Sequence, residues 1–160
     1  MPRGARILVE NACYHIFNRG NQKRSIFLDA ADYQRYLFLL KLYKSKYKVK
    51  LYGWCLMPNH FHLIVEPKHS ETLEKFMQSL TQTYTFSFNR KYKTTGRLWQ
   101  GRFKHRVMEK EKYLIDCIFY VEANPVRAGL VDTPSKYPWS SYQTRIFGHG
   151  KRLLDLPDCT

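Results

Sequence analysis

The sequence is short of acidic residues and of long hydrophobic runs. Its 160 residues include 27 Lys and Arg but only 13 Asp and Glu, which gives a formal net charge of +14. No apolar run approaches the roughly 20 residues that a membrane-spanning helix needs. The first residues, Met-Pro-Arg-Gly-Ala-Arg, lack the apolar stretch of a signal peptide. We therefore expect a cytoplasmic protein that has no membrane partner.

Paired cysteines are also missing. The four cysteines are scattered along the chain at Cys13, Cys55, Cys117 and Cys159. Because no two of them form a Cys-x-x-Cys pair, the pattern argues against a zinc knuckle, and in a reducing compartment all four are most simply free thiols. The length and the 44% hydrophobic content predict one globular domain with its own core.

Acidic residues are absent from two long segments. Residues 33–65 contain six Lys and Arg and no Asp or Glu, and residues 75–108 contain eight and none. Tyr, Phe and Trp are interleaved with these cations. Cations neutralise phosphates, and aromatic faces stack on unpaired bases. Any one of these aromatic residues is most simply a core residue, but the whole pattern favours binding of nucleic acid, and single strands in particular.

The hydrophobic pattern predicts strands and helices in the order β-α-β-β-α-β-α. Strands are expected at residues 13–19, 48–56, 60–66 and 98–108. Helices are expected at residues 29–47, 70–88 and 110–123, with Asp29 or Asp32 and Ser70 as N-caps and an end before Pro125. The first six elements form the βαββαβ unit of a ferredoxin-like α+β sandwich. It is an antiparallel sheet of four or five strands, with an additional C-terminal helix carrying Tyr120.

Two histidines lie two residues apart in the third predicted strand. His60 and His62 stand in the run Met57-Pro58-Asn59-His60-Phe61-His62. Because side chains alternate faces along a strand, both imidazoles lie on one face, about 6–7 Å apart along the chain, and can share a divalent cation. Glu66 has the same parity, although a surface carboxylate is the simpler interpretation. The other histidines are interpreted as structural or surface residues: His15, His69, His105 and His149.

Tyr120 and Asn124 are four residues apart on the third predicted helix, hence on one face of it. Tyr120 lies about 100° around the axis from the apolar stripe, where it can face a cleft over the sheet. Each residue taken alone is most simply structural. Together with His60 and His62 they suit phosphoryl transfer, with Tyr120 as the nucleophile and the two imidazoles and the Asn124 amide holding Mg²⁺ or Mn²⁺.

Three segments in order resemble the single-tyrosine HUH transposases, and most closely their REP-associated branch, whose members are bacterial. The first is the His60-Phe61-His62 strand. The other two are Leu98-Trp99-Gln100-Gly101-Arg102-Phe103-Lys104 and Tyr120-Val121-Glu122-Ala123-Asn124-Pro125-Val126-Arg127-Ala128-Gly129-Leu130-Val131, and the early Phe17-Asn18-Arg19-Gly20 also fits. The likeness covers roughly residues 1–145, whereas residues 146–160 form a tail that matches nothing recognisable.

The resemblance implies a ferredoxin-like catalytic domain over residues 1–145. It implies metal-dependent cleavage and rejoining of single-stranded DNA through a 5′-phosphotyrosine intermediate, at palindromic repeats that form hairpins. In this family the tyrosine nucleophile falls on Tyr120 and the metal site on His60, His62 and Asn124, with Mg²⁺ or Mn²⁺ as the cofactor. The protein is expected to act as a monomer or a homodimer.

Phosphate contacts are predicted from charge and position alone. The candidate cations are Arg3, Arg6, Arg19, Lys23, Arg24, Arg90, Lys91, Lys93, Arg97, Arg102, Lys104 and Arg106. Two other functions remain open. One is a non-catalytic protein that binds DNA or RNA hairpins, which explains the charge but leaves the site residues coincidental. The other is a metal-dependent phosphoesterase in which an activated water attacks in place of the tyrosine.

Overall fold

The computed structural model describes residues 8–148 and 153–157, so the predicted phosphate contacts Arg3 and Arg6 lie outside the described residues. The strands are β1 (Cys13–Arg19), β2 (Val49–Met57), β3 (His60–Pro67) and β4 (Lys104–Met108). The helices are α1 (Ala30–Lys46), α2 (Thr72–Tyr92), α3 (Lys110–Glu122), α4 (Asn124–Arg127) and α5 (Tyr142–Phe147). The predicted element order is confirmed, and the strands form one antiparallel sheet in the order β2-β3-β1-β4.

One of the two predicted helix caps is confirmed. The Asp29 carboxylate accepts the backbone N–H of Asp32 at 3.0 Å and starts α1. The prediction that Ser70 caps α2 is wrong, because α2 begins at Thr72 and the Ser70 hydroxyl donates to the carboxylate of Glu10. The competing acceptor comes from a segment 60 residues away, so the local sequence does not reveal it.

The alternation of β3 divides the core between the two faces of the sheet. Phe61, Leu63 and Val65 belong to the larger core, which includes residues of α1 and α2. Ile64 belongs to the smaller core, which includes residues of α3. His60 and His62 share the parity of Ile64, so they lie on the α3 side. We call this side the histidine face.

Helix α3 packs closely on the β2–β3 half of the histidine face. A Cβ added at Gly53 of β2 would lie 3.5 Å from the side chains of both Ile118 and Ile64. Between α3 and the β1–β4 half of the sheet is a groove of about 1130 Å³. Its lining includes His15 and Arg106 from the sheet and Tyr120 from α3. The fold therefore leaves a concave surface that includes His15, which lies on the same face of the sheet as the two histidines of β3.

The chain after α4 returns to β2, the strand at one end of the sheet. Leu56 donates its backbone N–H to the carbonyl of Trp139 at 2.8 Å, and the Trp139 ring stacks on Tyr33 with centroids 4.6 Å apart. Asp155 donates its backbone N–H to the Leu51 carbonyl at 2.7 Å and accepts the Leu51 N–H through its carboxylate at 2.8 Å. Trp139 therefore packs back on the domain. These contacts satisfy polar backbone groups at this edge.

Candidate metal and tyrosine site

His60 is held so that one defined ring nitrogen is available. Its Nδ1 lies 2.7 Å from Oδ1 of Asn59, and its Nε2 lies 3.3 Å from Nδ2 of Asn124. An amide oxygen only accepts and an amide nitrogen only donates, so His60 carries its proton on Nδ1 and a lone pair on Nε2. The rings of His60 and His62 are nearly perpendicular, with centroids 5.2 Å apart, so the prediction that they share one face is confirmed.

Asn124 reaches His60 from a different helix than expected. Tyr120 and Asn124 were predicted to share one helix, but α3 ends at Glu122 and Asn124 is the first residue of α4. Pro125 is the physical reason, since it has no N–H to donate and its ring displaces the preceding turn. The Asn124 side chain nevertheless points at His60, and a 180° rotation of its amide would present an oxygen in place of the nitrogen.

His62 has a partner that the sequence interpretation missed. Nδ1 of His62 lies 2.9 Å from Nε2 of His15, and the two rings stack with centroids 5.1 Å apart. The interpretation of His15 as a structural or surface residue did not include this hydrogen bond to His62. His15 lies diagonally across the β1–β3 pair, because the register places Phe17 opposite His62. The alternation of the first strand places His15 and Phe17 on one face, which the sequence does show. Which residues of β3 they meet depends on the strand register, which the sequence does not show.

The environment keeps the three imidazoles neutral at neutral pH. Burial, aided by the charges of His15, His60 and Arg127, lowers the pKa of His62 to about 3. Burial and the nearby Arg106 lower the pKa of His15 to about 4. Burial and Arg19 also lower the pKa of His60. A neutral imidazole is the form that binds a metal ion, so these residues suit that role.

Tyr120 projects from α3 at the groove. Its side chain is 55% exposed, and it lines the groove together with His15 and Arg106. The guanidinium carbon of Arg127 lies 3.8 Å from the centre of the Tyr120 ring, within the range of a cation–π contact. The prediction that Tyr120 faces a cleft over the sheet is confirmed. Arg127 was not singled out from the sequence, because its approach to Tyr120 depends on the turn between α3 and α4.

The donor set at this site fits a divalent cation. Two imidazole nitrogens and a carboxamide oxygen are acceptable ligands for Mn²⁺, and less favourable ones for Mg²⁺, which prefers oxygen. Within residues 8–148 and 153–157, no group of three or more His, Cys, Asp and Glu side chains is placed to hold a metal ion. A cation bound by His60 and His62 would need a ligand of another type as its third, and the Asn124 amide is the candidate beside His60. His60, His62 and Glu66 do not form such a group, and the Glu66 carboxylate accepts the hydroxyl of Tyr52 at 2.6 Å.

Three of the predicted phosphate contacts lie on the histidine face. Lys104 and Arg106 pair with Phe17 and His15 across the β1–β4 ladder, and Arg19 pairs with His60 across the β1–β3 ladder. All three cations are exposed. The guanidinium of Arg106 lies 5.6 Å from the centre of the Phe17 ring. This edge of the site therefore combines positive charge with an aromatic ring.

The other predicted cations are distributed around the sheet and α2. Lys91 is already bound by the carboxylates of Asp29 and Asp32 at 2.8 and 2.9 Å, so its charge serves the contact between α1 and α2. Arg97 and Arg102 line a second cavity, of about 420 Å³, against α2. The remaining exposed cations lie at the end of η1, the 3-10 turn Asn21–Lys23, and at the end of α2: Lys23, Arg24, Arg90 and Lys93.

Comparisons with known proteins agree on one family. The model of the family described as transposase, IS200-like, matches residues 8–124. A REP-associated tyrosine transposase of Haemophilus influenzae is 28% identical over 103 residues, and the matched stretch spans 58% of this chain and 58% of the length of that relative. None of the helices in the described part of the chain is long and apolar enough to cross a bilayer.

Two solved structures share the fold. One is a REP-associated tyrosine transposase bound to a REP hairpin, with 20% sequence identity and a TM-score of 0.78. The match covers 100% of this chain and 92% of that structure's chain. The other is a transposase from Deinococcus radiodurans, with 15% sequence identity and a TM-score of 0.50. The match covers 74% of this chain and 94% of that structure's chain. The expected ferredoxin-like arrangement is thereby confirmed.

Proposed function

The chain belongs to the IS200-like transposase family, and from this premise we propose that it cuts and rejoins single-stranded DNA through a covalent bond to Tyr120. His60, His62 and Asn124 are the proposed ligands of a divalent cation, Mg²⁺ or Mn²⁺. The proposed substrate is a single strand carrying a hairpin, since a structural relative is described with a REP hairpin bound. Residues 1–145 form the proposed catalytic unit, and the proposed location is the bacterial cytoplasm.

The position of Tyr120 carries this proposal. An exposed phenol lines the same groove as His15, and His15 is hydrogen-bonded to His62 at 2.9 Å. The nucleophile and the candidate metal ligands therefore belong to one face of the sheet, although they are some sixty residues apart in the chain. A phenol buried in the larger core, or lying on the α1 side, would exclude this chemistry.

The reaction follows from these groups. The Tyr120 oxygen attacks a backbone phosphorus, a 5′-phosphotyrosine bond forms, and the bond to the 3′-oxygen breaks. The phenol loses its proton and the departing 3′-oxygen gains one, so the number of phosphoester bonds is unchanged and no ATP is needed. When bound, the cation polarises the scissile phosphate. Arg127 and Arg106 are placed to attract its negative charge, and the proposed strand lies in the groove beside Phe17.

A covalent-adduct assay tests the proposal. Wild-type protein is incubated with Mn²⁺ and a labelled single-stranded hairpin DNA with flanking single strands, and the products are separated under denaturing conditions. The expected adduct disappears in Tyr120→Phe and in the presence of a chelator. Tyr113→Phe is the matched control, because Tyr113 is also an exposed tyrosine of α3 that lines the same groove.

Each of the other outcomes of this assay would contradict a part of the proposal. Cleavage by Tyr120→Phe at the wild-type rate would show that Tyr120 is not the nucleophile. Cleavage by wild type without an adduct would favour a phosphoesterase that uses water. Tight binding without any cleavage would favour a protein that only holds hairpins.

A further inference from the structure

The contact between His15 and His62 is a partly buried hydrogen bond between two imidazole rings on different strands. His15 is 7% exposed, and its Nε2 lies 2.9 Å from Nδ1 of His62. Here the geometry joins one named nitrogen of each ring, so the hydrogen bond constrains where both protons reside.

Two arrangements of protons satisfy this hydrogen bond between neutral rings. In the first, His62 donates from Nδ1 to Nε2 of His15, and Nε2 of His62 keeps its lone pair. In the second, His15 donates from Nε2, and His62 then carries its proton on Nε2. Only the first leaves Nε2 of His62 able to bind a cation. The partner on Nδ1 thus decides whether Nε2 is a ligand.

His60, the other histidine of the site, already carries its proton on Nδ1 and its lone pair on Nε2. His60 has an obligate acceptor, the amide oxygen of Asn59, 2.7 Å from its Nδ1, and its Nε2 faces Asn124. Histidines that bind metals usually donate their other N–H to a neighbouring acceptor in this way, which fixes the tautomer and the ring orientation. If His15 acts for His62 as Asn59 acts for His60, both rings present Nε2 as the free nitrogen.

We propose that His15 is a positioning residue that accepts the Nδ1–H of His62 and so holds the Nε2 of His62 ready for a divalent cation. The proposal rests on the proposed function in one respect, the identity of His62 as a metal ligand. In this arrangement His15 is not itself a ligand, since its Nε2 accepts from His62 and its Nδ1 carries the proton. Its role requires a hydrogen-bond acceptor at this position, which separates it from a purely packing role.

Mn²⁺ binding without DNA is the direct test. Free Mn²⁺ is measured by electron paramagnetic resonance in titrations of wild type, His15→Phe and His15→Gln. We expect the Kd for Mn²⁺ to rise about 10- to 100-fold in His15→Phe, and to recover most of the way in His15→Gln, whose amide oxygen can accept from Nδ1. His105→Phe is the matched control, because His105 is a partly buried histidine of β4 on the opposite face.

A nuclear magnetic resonance measurement on wild type supplies a readout that does not depend on the folding of any variant. Long-range proton–nitrogen correlations are expected to show the His62 proton on Nδ1. A His62 proton on Nε2 would overturn the proposal, and so would a His15→Phe variant that binds Mn²⁺ as tightly as wild type. Hairpin binding in the presence of a chelator should be equal in all variants, as the substitution leaves the surface charge unchanged.

The outcomes separate this proposal from the proposed function. A wild-type protein that binds Mn²⁺ in a His15-dependent way but forms no DNA adduct would contradict the transferase reaction and leave the positioning role intact. If wild type forms the DNA adduct but His15→Phe leaves the Kd for Mn²⁺ unchanged, the transferase reaction is supported and the positioning role of His15 is contradicted. Wild type that binds no Mn²⁺ would overturn both the metal site and the role of His15.

Discussion

At the level of single residues, the proposed site depends on ring nitrogens whose protonation is set by hydrogen bonds to neighbouring residues. His60 donates from Nδ1 to Asn59, so the role proposed for it depends on Nε2 alone. His60→Ala should therefore abolish the DNA adduct while changing hairpin affinity less than about threefold, because phosphate contacts by Lys and Arg dominate affinity. Adduct yield and gel-shift affinity on the same DNA check this. A tenfold loss of affinity would mean that His60 also holds the DNA.

Arg127 is the residue whose importance the fold reveals most directly. Its guanidinium lies 3.8 Å from the centre of the Tyr120 ring, and it is exposed. Arg127→Met should lower the single-turnover cleavage rate about 100-fold, the typical cost of removing one stabilising donor from a transition state. The cleavage rate of Arg127→Lys should lie between those of wild type and Arg127→Met, because lysine keeps the charge but lacks the planar guanidinium.

The control for Arg127 is Lys41→Met. Lys41 is an exposed cation on α1, across the sheet from the groove, so its removal changes the net charge equally. Equal rates for Arg127→Met and Lys41→Met would show that only overall charge matters and that the contact with Tyr120 has no part in the reaction.

At the level of elements, the parts of the fold that depend on local patterns were predictable from the sequence. The alternation in β3 and the cap of α1 are properties of adjacent residues, and both were predicted correctly. The break between α3 and α4 was half predicted: Pro125 indicated an end, but a proline in the first turn of a new helix also lets the chain continue. The hydrogen bond between His15 and His62 depends on strand register, which is set by tertiary packing.

Arg145 of α5 links Glu122 of α3 to Tyr52 of β2, and this contact gives a prediction about stability. Glu122 is 1% exposed and accepts the Nε of Arg145 at 2.8 Å, and Arg145 also donates to the carbonyl of Tyr52 at 2.5 Å. Burial raises the pKa of Glu122, which the Arg145 charge opposes. Arg145→Met should lower the unfolding free energy by about 3–5 kcal/mol, because it leaves a buried carboxylate unpaired. Urea denaturation measures this.

Two further variants show whether the unpaired charge is the cause. The double variant Glu122→Gln with Arg145→Met should recover part of the lost stability, since no charge then remains buried. Lys136→Met breaks an exposed pair with Asp132 and should cost less than about 1 kcal/mol. If the double variant is no more stable than Arg145→Met alone, the contribution of Arg145 is packing and not ion pairing.

At the level of the whole molecule, the charge of +14 predicts how salt affects DNA binding. Lys104 and Arg106 are exposed on the histidine face, where the proposed strand lies. Replacing both with Ala should reduce the slope of log K against log salt by about 1.4, which is 0.7 for each lost contact with a single strand. Lys41→Ala should leave the slope unchanged. An unchanged slope in the double variant would place the DNA elsewhere.

The buried imidazoles make the stability of the metal-free protein sensitive to acid. The pKa of His15 falls to about 4 and that of His62 to about 3 on folding, from an ordinary value of 6.5. Between these limits the unfolded chain binds more protons than the folded one, so the unfolding free energy must decrease as pH falls. The decrease starts near pH 6.5 and levels off below the folded pKa values.

His15→Phe tests this pH dependence, because it removes one of the two groups and leaves the carboxylates of the protein in place. Urea denaturation in a chelator at several pH values from 7 to 5 should show a steeper loss of stability in wild type than in His15→Phe. The unfolding free energy of wild type minus that of His15→Phe should therefore decrease as pH falls, whatever the value of this difference at pH 7. Parallel curves would mean that His15 titrates alike in the folded and unfolded states, and hence that the hydrogen-bonded pair is not held neutral by its surroundings.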